Sequence, residues 1–113
     1  MEDTQTRRGN LMKLSIDTST LKEVTVSLEE NEVVLLRSSV PNRRTQDVLP
    51  FIDELLHEKG KTVHALTSIA VAVGPGSYTG LRVGIAIANT LGTLLKIPIN
   101  DLKIGQLVKP MYS

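Results

Sequence analysis

Nine residues of this chain, Gly74-Pro75-Gly76-Ser77-Tyr78-Thr79-Gly80-Leu81-Arg82, offer the clearest chemistry, because they join a wholly apolar run to a long stretch of small and apolar residues. Three glycines and a proline at such a junction permit a tight turn with positive φ, a close approach of backbones, and amides aimed from a helix start at an anion. The spacing fits neither standard phosphate fingerprint. Gly74-x-Gly76-x-x-x-Gly80 has one residue too many for the dinucleotide motif, and no Lys-Ser/Thr pair follows to make a P-loop. Two readings stand: a phosphate contact through Gly74, Gly76 and Ser77, or a structural turn in which Gly74, Pro75, Gly76 and Gly80 seat the following helix.

A second candidate is Asp17-Thr18-Ser19-Thr20. A carboxylate followed by hydroxyls at the end of a strand can order magnesium-bound phosphate, with Thr18 and Ser19 as contacts, or close an Asx or Ser/Thr turn. The other titratable groups do not combine. His57 and His64 are separated by a predicted helix end, so they make no metal pair. Asp53 and Glu54 are adjacent on a predicted helix and point apart, so they are not an acid/base couple. No metal site and no cofactor is expected.

These groups depend on a regular scaffold. Met12, Leu14 and Ile16 alternate with Lys13, Ser15 and Asp17, the period of a strand with one buried face. Val24, Val26 and Leu28 repeat the pattern, and beyond a turn at Glu29-Glu30-Asn31-Glu32 a third strand is predicted over 33–37. A first helix follows Pro41, with Val48, Leu49, Phe51, Ile52, Leu55 and Leu56 on one arc, Asp47 as its N-cap, Pro50 in its first turn and Gly60 at its stop. Residues 69–73 form a buried strand, 80–96 a second helix, and 97–99 a short last strand. The order is βββαβαβ.

The second helix carries an apolar arc wider than one sheet needs. Leu81, Ile85, Leu91 and Leu95 can face a sheet, while Val83, Ile87 and Leu94 point well to the side, together occupying about 40° of arc at about 100° per residue. Either the first helix or a second chain must cover them. Arg82, Asn89, Thr93 and Lys96 make a narrow polar stripe, and Gly84, Ala88 and Gly92 a seam that admits another backbone.

With 113 residues, 41% of them apolar, the chain suits one core and one domain, and its net charge of +1 gives no footprint for direct nucleic-acid binding. Arg7-Arg8 sit in an aperiodic polar leader, 1–10, predicted to be disordered; Arg43-Arg44 are the other basic pair. Zero cysteines exclude disulfides and thiolate chemistry and suit a cytoplasmic protein. No apolar run approaches the roughly 18 residues of a membrane span.

Taken together, Leu14-Ser15-Ile16-Asp17-Thr18-Ser19-Thr20, Leu49-Pro50-Phe51-Ile52-Asp53-Glu54-Leu55-Leu56 and the segment from Ile69-Ala70-Val71-Ala72-Val73 through the glycine loop to Val83-Gly84 resemble the N-terminal lobe of the TsaB family, also described as glycoprotease-like, over about residues 12–100. The resemblance implies an α/β fold: one ribonuclease H-like, actin-like ATPase lobe with a mixed sheet. It implies a non-catalytic scaffold or activator, a partner of the homologous TsaD in attaching threonylcarbamoyl to a tRNA adenosine, with TsaC and TsaE in the same pathway and tRNA met only through the complex. It also implies that the two helices meet a partner's helices in a bundle, which places Phe51 and Leu55 beside Val83, Ile87 and Leu94 at an interface, in a heterodimer with TsaD or a homodimer. Three features depart from the pattern. Arg44 stands where many members have a histidine, residues 101–113 show little of an expected third helix, and a second lobe is absent from the expected domain plan of leader 1–10 and lobe 11–113. The competing readings are a phosphotransferase-type or glycopeptidase-like enzyme lobe built on Asp17, Thr18, Ser19 and the glycine loop, and a truncated, non-functional fragment.

Overall fold

A computed structural model describes residues 11–20, 22–41 and 45–111. The polar leader and Arg43-Arg44 lie outside the described residues. Three strands come first: β1 (Met12–Asp17), β2 (Glu23–Glu30) and β3 (Val33–Pro41). Helix α1 (Thr45–Glu58), a single 3-10 turn (Val63–Ala65), strand β4 (Ser68–Val71) and helix α2 (Tyr78–Leu95) follow. The sheet order is β3-β2-β1-β4, with β1 antiparallel to β2 and parallel to β4. The mixed α/β sheet expected from the sequence is therefore present.

Alternation dictates which face is dry. Leu14 stands opposite Leu28 on one side and Ile69 on the other, and Ile16 opposite Val26 and Val71. All six are buried, with Met12 and Val24 beside them. Both helices pack on this face, α1 over β2 and α2 over β1 and β4. Val48, Ile52 and Leu56 of α1 and Leu81, Ile85, Ala88 and Leu91 of α2 complete the core. On the opposite face Ser15, Asp17, Thr25, Ser27, Glu29, Arg37, Ala70 and Ala72 border an open depression of about 410 Å³.

Several boundaries differ from those the sequence predicts. The β2–β3 turn tightens to Asn31-Glu32, both at positive φ (52° and 69°), the requirement of a two-residue hairpin loop matched to the strand twist. β3 extends to Pro41 because β2 offers it partners as far as Glu23. α1 begins two residues before Asp47, which puts Pro50 inside the helix, where it cannot donate to the Gln46 carbonyl. Leu49, expected on the apolar arc, is exposed. The glycine-ended stop holds: Gly60 has φ +69° and its amide donates to the His57 carbonyl.

The expected last strand is reduced to one bridge, Ile69 to Ile99. Pro98 has no amide to donate, and Asn100 turns left-handed (φ 51°), so the extended backbone ends there. The glycine seam is occupied by the chain itself. A Cβ on Gly92 would lie 2.5 Å from Ile99 Cδ1, and one on Gly84 would lie 2.5 Å from Thr18 Oγ1.

Candidate functional site

The two polar candidates of the sequence, the end of β1 and the glycine loop, are one structure. Thr18 is 2% exposed and stands against the first turns of α2. Its hydroxyl donates to the Gly80 carbonyl (2.6 Å) and accepts from the Gly84 amide (3.0 Å). One side chain from the sheet therefore spans a carbonyl and an amide that stand four residues apart in a helix. That arrangement fixes the distance between strand and helix and uses the hydroxyl as both donor and acceptor.

The neighbouring hydroxyls are engaged as well. Ser19 donates its Oγ (2.6 Å) and its amide (2.9 Å) to the Asp17 carboxylate, an Asx-type closure of the turn after β1. Ser77 is the N-cap of α2: its Oγ accepts from the Gly80 amide at 3.0 Å, and its carbonyl accepts from the Leu81 amide at 2.9 Å. Its own amide donates to the Ser19 carbonyl at 2.7 Å, tying the loop to the turn.

The glycines are required mostly by contact. Among the glycines of the loop only Gly74 has a positive φ, 136°, and a Cβ there would also strike the Met111 carbonyl. A Cβ on Gly76 would lie 2.6 Å from the Ser19 carbonyl oxygen, and one on Gly80 would collide with the Thr18 carbonyl oxygen. Positive φ, one of the sequence arguments for Gly76, does not apply; backbone crossing over backbone does. The Gly74–Pro75 peptide is cis. The proposed phosphate contacts Thr18, Ser19, Gly74, Gly76 and Ser77 are brought together where the turn after β1 meets the start of α2; Thr18 and Ser19 donate their hydroxyl protons to internal acceptors, and Ser77 Oγ accepts from the Gly80 amide.

The five side chains expected at an interface separate into two sets. Phe51, Leu55 and Ile87 are each 7% exposed and belong to the core. Leu94 is 72% exposed, and Val83 is half-buried. Around Val83, a shallow depression of about 300 Å³ is lined by Tyr78, Thr79, Arg82 and Ala86. Arg82 donates to the Tyr78 hydroxyl at 3.1 Å, and its guanidinium lies 5.3 Å from that ring's centroid, so one edge of the depression is a braced cation. On α1 a second depression, about 410 Å³, is bordered by Asp47, Pro50, Phe51, Asp53, Glu54 and His57. The exposed surface of the helices is therefore small and weakly apolar on α2 and acidic on α1.

Two residues with defined roles escaped the sequence reading. Asn89, assigned to the polar stripe, turns to the chain beyond α2: its Nδ2 donates to the Val108 carbonyl (3.1 Å) and its Oδ1 accepts from the Val108 amide (3.0 Å). Asn100 makes the same pair of bonds with Val71, at 3.1 and 2.8 Å. An amide side chain matches a peptide group in donor and acceptor, but nothing in one-dimensional spacing indicates which peptide it will meet.

Comparison with known proteins places this geometry. Residues 40–103 match the family model described as TsaD, tRNA N6-adenosine threonylcarbamoyltransferase. The chain is 36% identical over 96 residues to the tRNA threonylcarbamoyladenosine biosynthesis protein TsaB of Haemophilus influenzae, covering 82% of this chain and 41% of that protein. YeaZ from Pseudomonas aeruginosa superposes with a TM-score of 0.72 at 30% identity, over 82% of this chain and 44% of that one. A Bacteroides thetaiotaomicron protein with an actin-like ATPase fold superposes at 0.51 with 13% identity over 87% of this chain and 35% of that one, a likeness of fold alone. The chain spans less than half the length of the relatives it matches.

Proposed function

Because the chain belongs to the TsaB family, within the group described by the TsaD model, we propose that it serves tRNA threonylcarbamoyladenosine biosynthesis as a non-catalytic scaffold or activator that docks on TsaD through its helices. The observation that carries this reading is the outer flank of α2, where Leu94 (72% exposed) and half-buried Val83 lie among Thr79, Ala86 and Thr90. Small side chains allow a second helix to approach closely, and burying Leu94 alone against one would contribute about 1.5–3 kcal/mol. The non-catalytic part rests on the engagement of Thr18 and Ser19 within the fold, both of which donate their hydroxyl protons to internal acceptors. Asp17 likewise accepts two bonds from Ser19. TsaC and TsaE enter as pathway members, and tRNA through the complex.

Capture of purified TsaD by this chain, followed by a tRNA modification assay with TsaC and TsaE present, tests the proposal. Binding is expected, and Leu94→Asp should weaken it by about tenfold or more while the chain stays folded. A wild-type chain that neither binds TsaD nor raises modification refutes the scaffold role. Magnesium-dependent ATP hydrolysis that disappears in Asp17→Ala would replace it with the enzyme-lobe reading.

A further inference from the structure

The two edges of the sheet are protected in different ways. β3, one outer strand, carries exposed Arg37 at its centre and Pro41 at its end, and a charge or a proline on an edge discourages pairing with another chain. β4, the other outer strand, has no such guard. Residues 68–73, Ser-Ile-Ala-Val-Ala-Val, hold no charge and no proline and are rich in residues that favour strands.

What covers β4 is the segment 97–111. The inner bonds of β4 go to β1, so the groups of Ile69, Val71 and Val73 point outward. Each bond to them comes from this segment. The Ile69 amide donates to the Pro98 carbonyl (3.0 Å), and the Ile69 carbonyl accepts from the Asn100 amide (2.8 Å). The Asn100 side chain takes both groups of Val71, and the Met111 amide donates to the Val73 carbonyl at 2.6 Å. Asn89 of α2 holds Val108 and thereby keeps the far end in place.

The hold is narrow. Ile99 and Val108 are its buried apolar anchors, with Ile97 and Leu102 partly buried beside them, while residues 103–107 are exposed, Ile104 and Leu107 at 61% and 54%. Two of the five bonds to β4 depend on one side chain. A segment held mainly by a few part-buried bonds opens before the core does.

We infer that residues 97–111 are a releasable strap, latched by Asn89 and Asn100, that keeps the β4 edge from pairing with the same edge of a second copy of this chain. Two-fold antiparallel pairing would set uncharged residues 69–73 against themselves, so no like charges meet, and would return partners to the outward groups of Ile69, Val71 and Val73. This interface is distinct from the α2 flank and uses none of its residues.

The test is the double variant Asn89→Ala/Asn100→Ala, followed by amide exchange and sedimentation over a concentration series. At low concentration the Ile69 and Val71 amides should exchange about tenfold faster than in the wild type, with those of Ile85 and Leu91 in α2 unchanged. As concentration rises, a dimer at least about tenfold tighter than any wild-type self-association should form and restore protection at those two amides. Adding Ala72→Lys, a charge beside the edge, should abolish it. Fast exchange at β4 without tighter association, or a dimer indifferent to Ala72→Lys, overturns the inference. Native-state exchange of the wild type gives an independent reading. Ile69, Val71, Val108 and Met111 opening together ahead of Ile85 and Leu91 supports a latch. Their opening only with global unfolding, or a double variant that cannot fold, shows that the segment is core and overturns it.

Discussion

Gly76→Ala asks whether the glycine loop is a seat or a ligand site. The added Cβ would stand 2.6 Å from the Ser19 carbonyl oxygen and 2.8 Å from Ser19 Cβ, where ordinary contact begins near 3.4 Å. The obstacle is mainly backbone, so no side-chain rotation relieves it, and the loop must retreat by about 0.8 Å, the difference between 3.4 and 2.6 Å. Overpacking of this kind costs about 1–3 kcal/mol. The retreat also stretches the 2.7 Å bond from the Ser77 amide to the Ser19 carbonyl, a further ~0.5–1.5 kcal/mol. A total of about 1.5–4.5 kcal/mol should lower the melting temperature by roughly 6–18 °C, at about 4 °C per kcal/mol for a chain of this size. Thermal unfolding followed by circular dichroism measures it directly. A melting temperature within a degree or two of the wild type would refute the packing argument, and if TsaD-dependent activity were lost at the same time, the loop would be a contact site instead.

Thr18→Val keeps the shape and removes the hydroxyl between Gly80 and Gly84; it should cost about 1–3 kcal/mol in urea unfolding, and a loss under about 0.5 kcal/mol would mean that the helix closes the gap by itself. Ile87→Asp and Leu94→Asp should behave oppositely: the first, at a core position, should destabilise the chain by more than about 3 kcal/mol, while the second should leave stability within about 0.5 kcal/mol and weaken only association. Equal effects on folding would show that Leu94 is also covered within the chain. Glu32→Gly places glycine at a position with φ +69° and creates the Asn-Gly pair favoured in two-residue hairpins, so it should raise stability by up to about 1 kcal/mol, as read by the midpoint of chemical denaturation.

The sequence by itself determined the order of the elements from β1 to α2 and the dry face of the sheet, but not the expected last strand, which shrinks to one bridge. Alternation at Met12, Leu14 and Ile16 needs only the period of a strand and could be read along one dimension. The apolar run before Gly74 announced a strand, but β4 ends at Val71 and only Ile69 and Val71 are buried, with Ala70, Ala72 and Val73 half-buried, so the fully buried strand expected over 69–73 is not what forms. The family was legible for a related reason: its segments keep their order and spacing in the chain. Tertiary structure decided the roles of the polar residues. Thr18 reads as a phosphate ligand or a turn former until α2 is laid against it, because a hydroxyl satisfies any donor and acceptor brought within reach. The partner is a helix turn that begins 62 residues away. Ile87 and Leu94 fall on one side of the same helix, yet one is in the core and the other in water, since position along the helix relative to its neighbours, and not only angle about its axis, sets burial. Asn89 and Asn100 look like ordinary polar residues until the chain beyond α2 returns past β4. Such long-range pairings are set by where the backbone comes back in space, which no local period encodes.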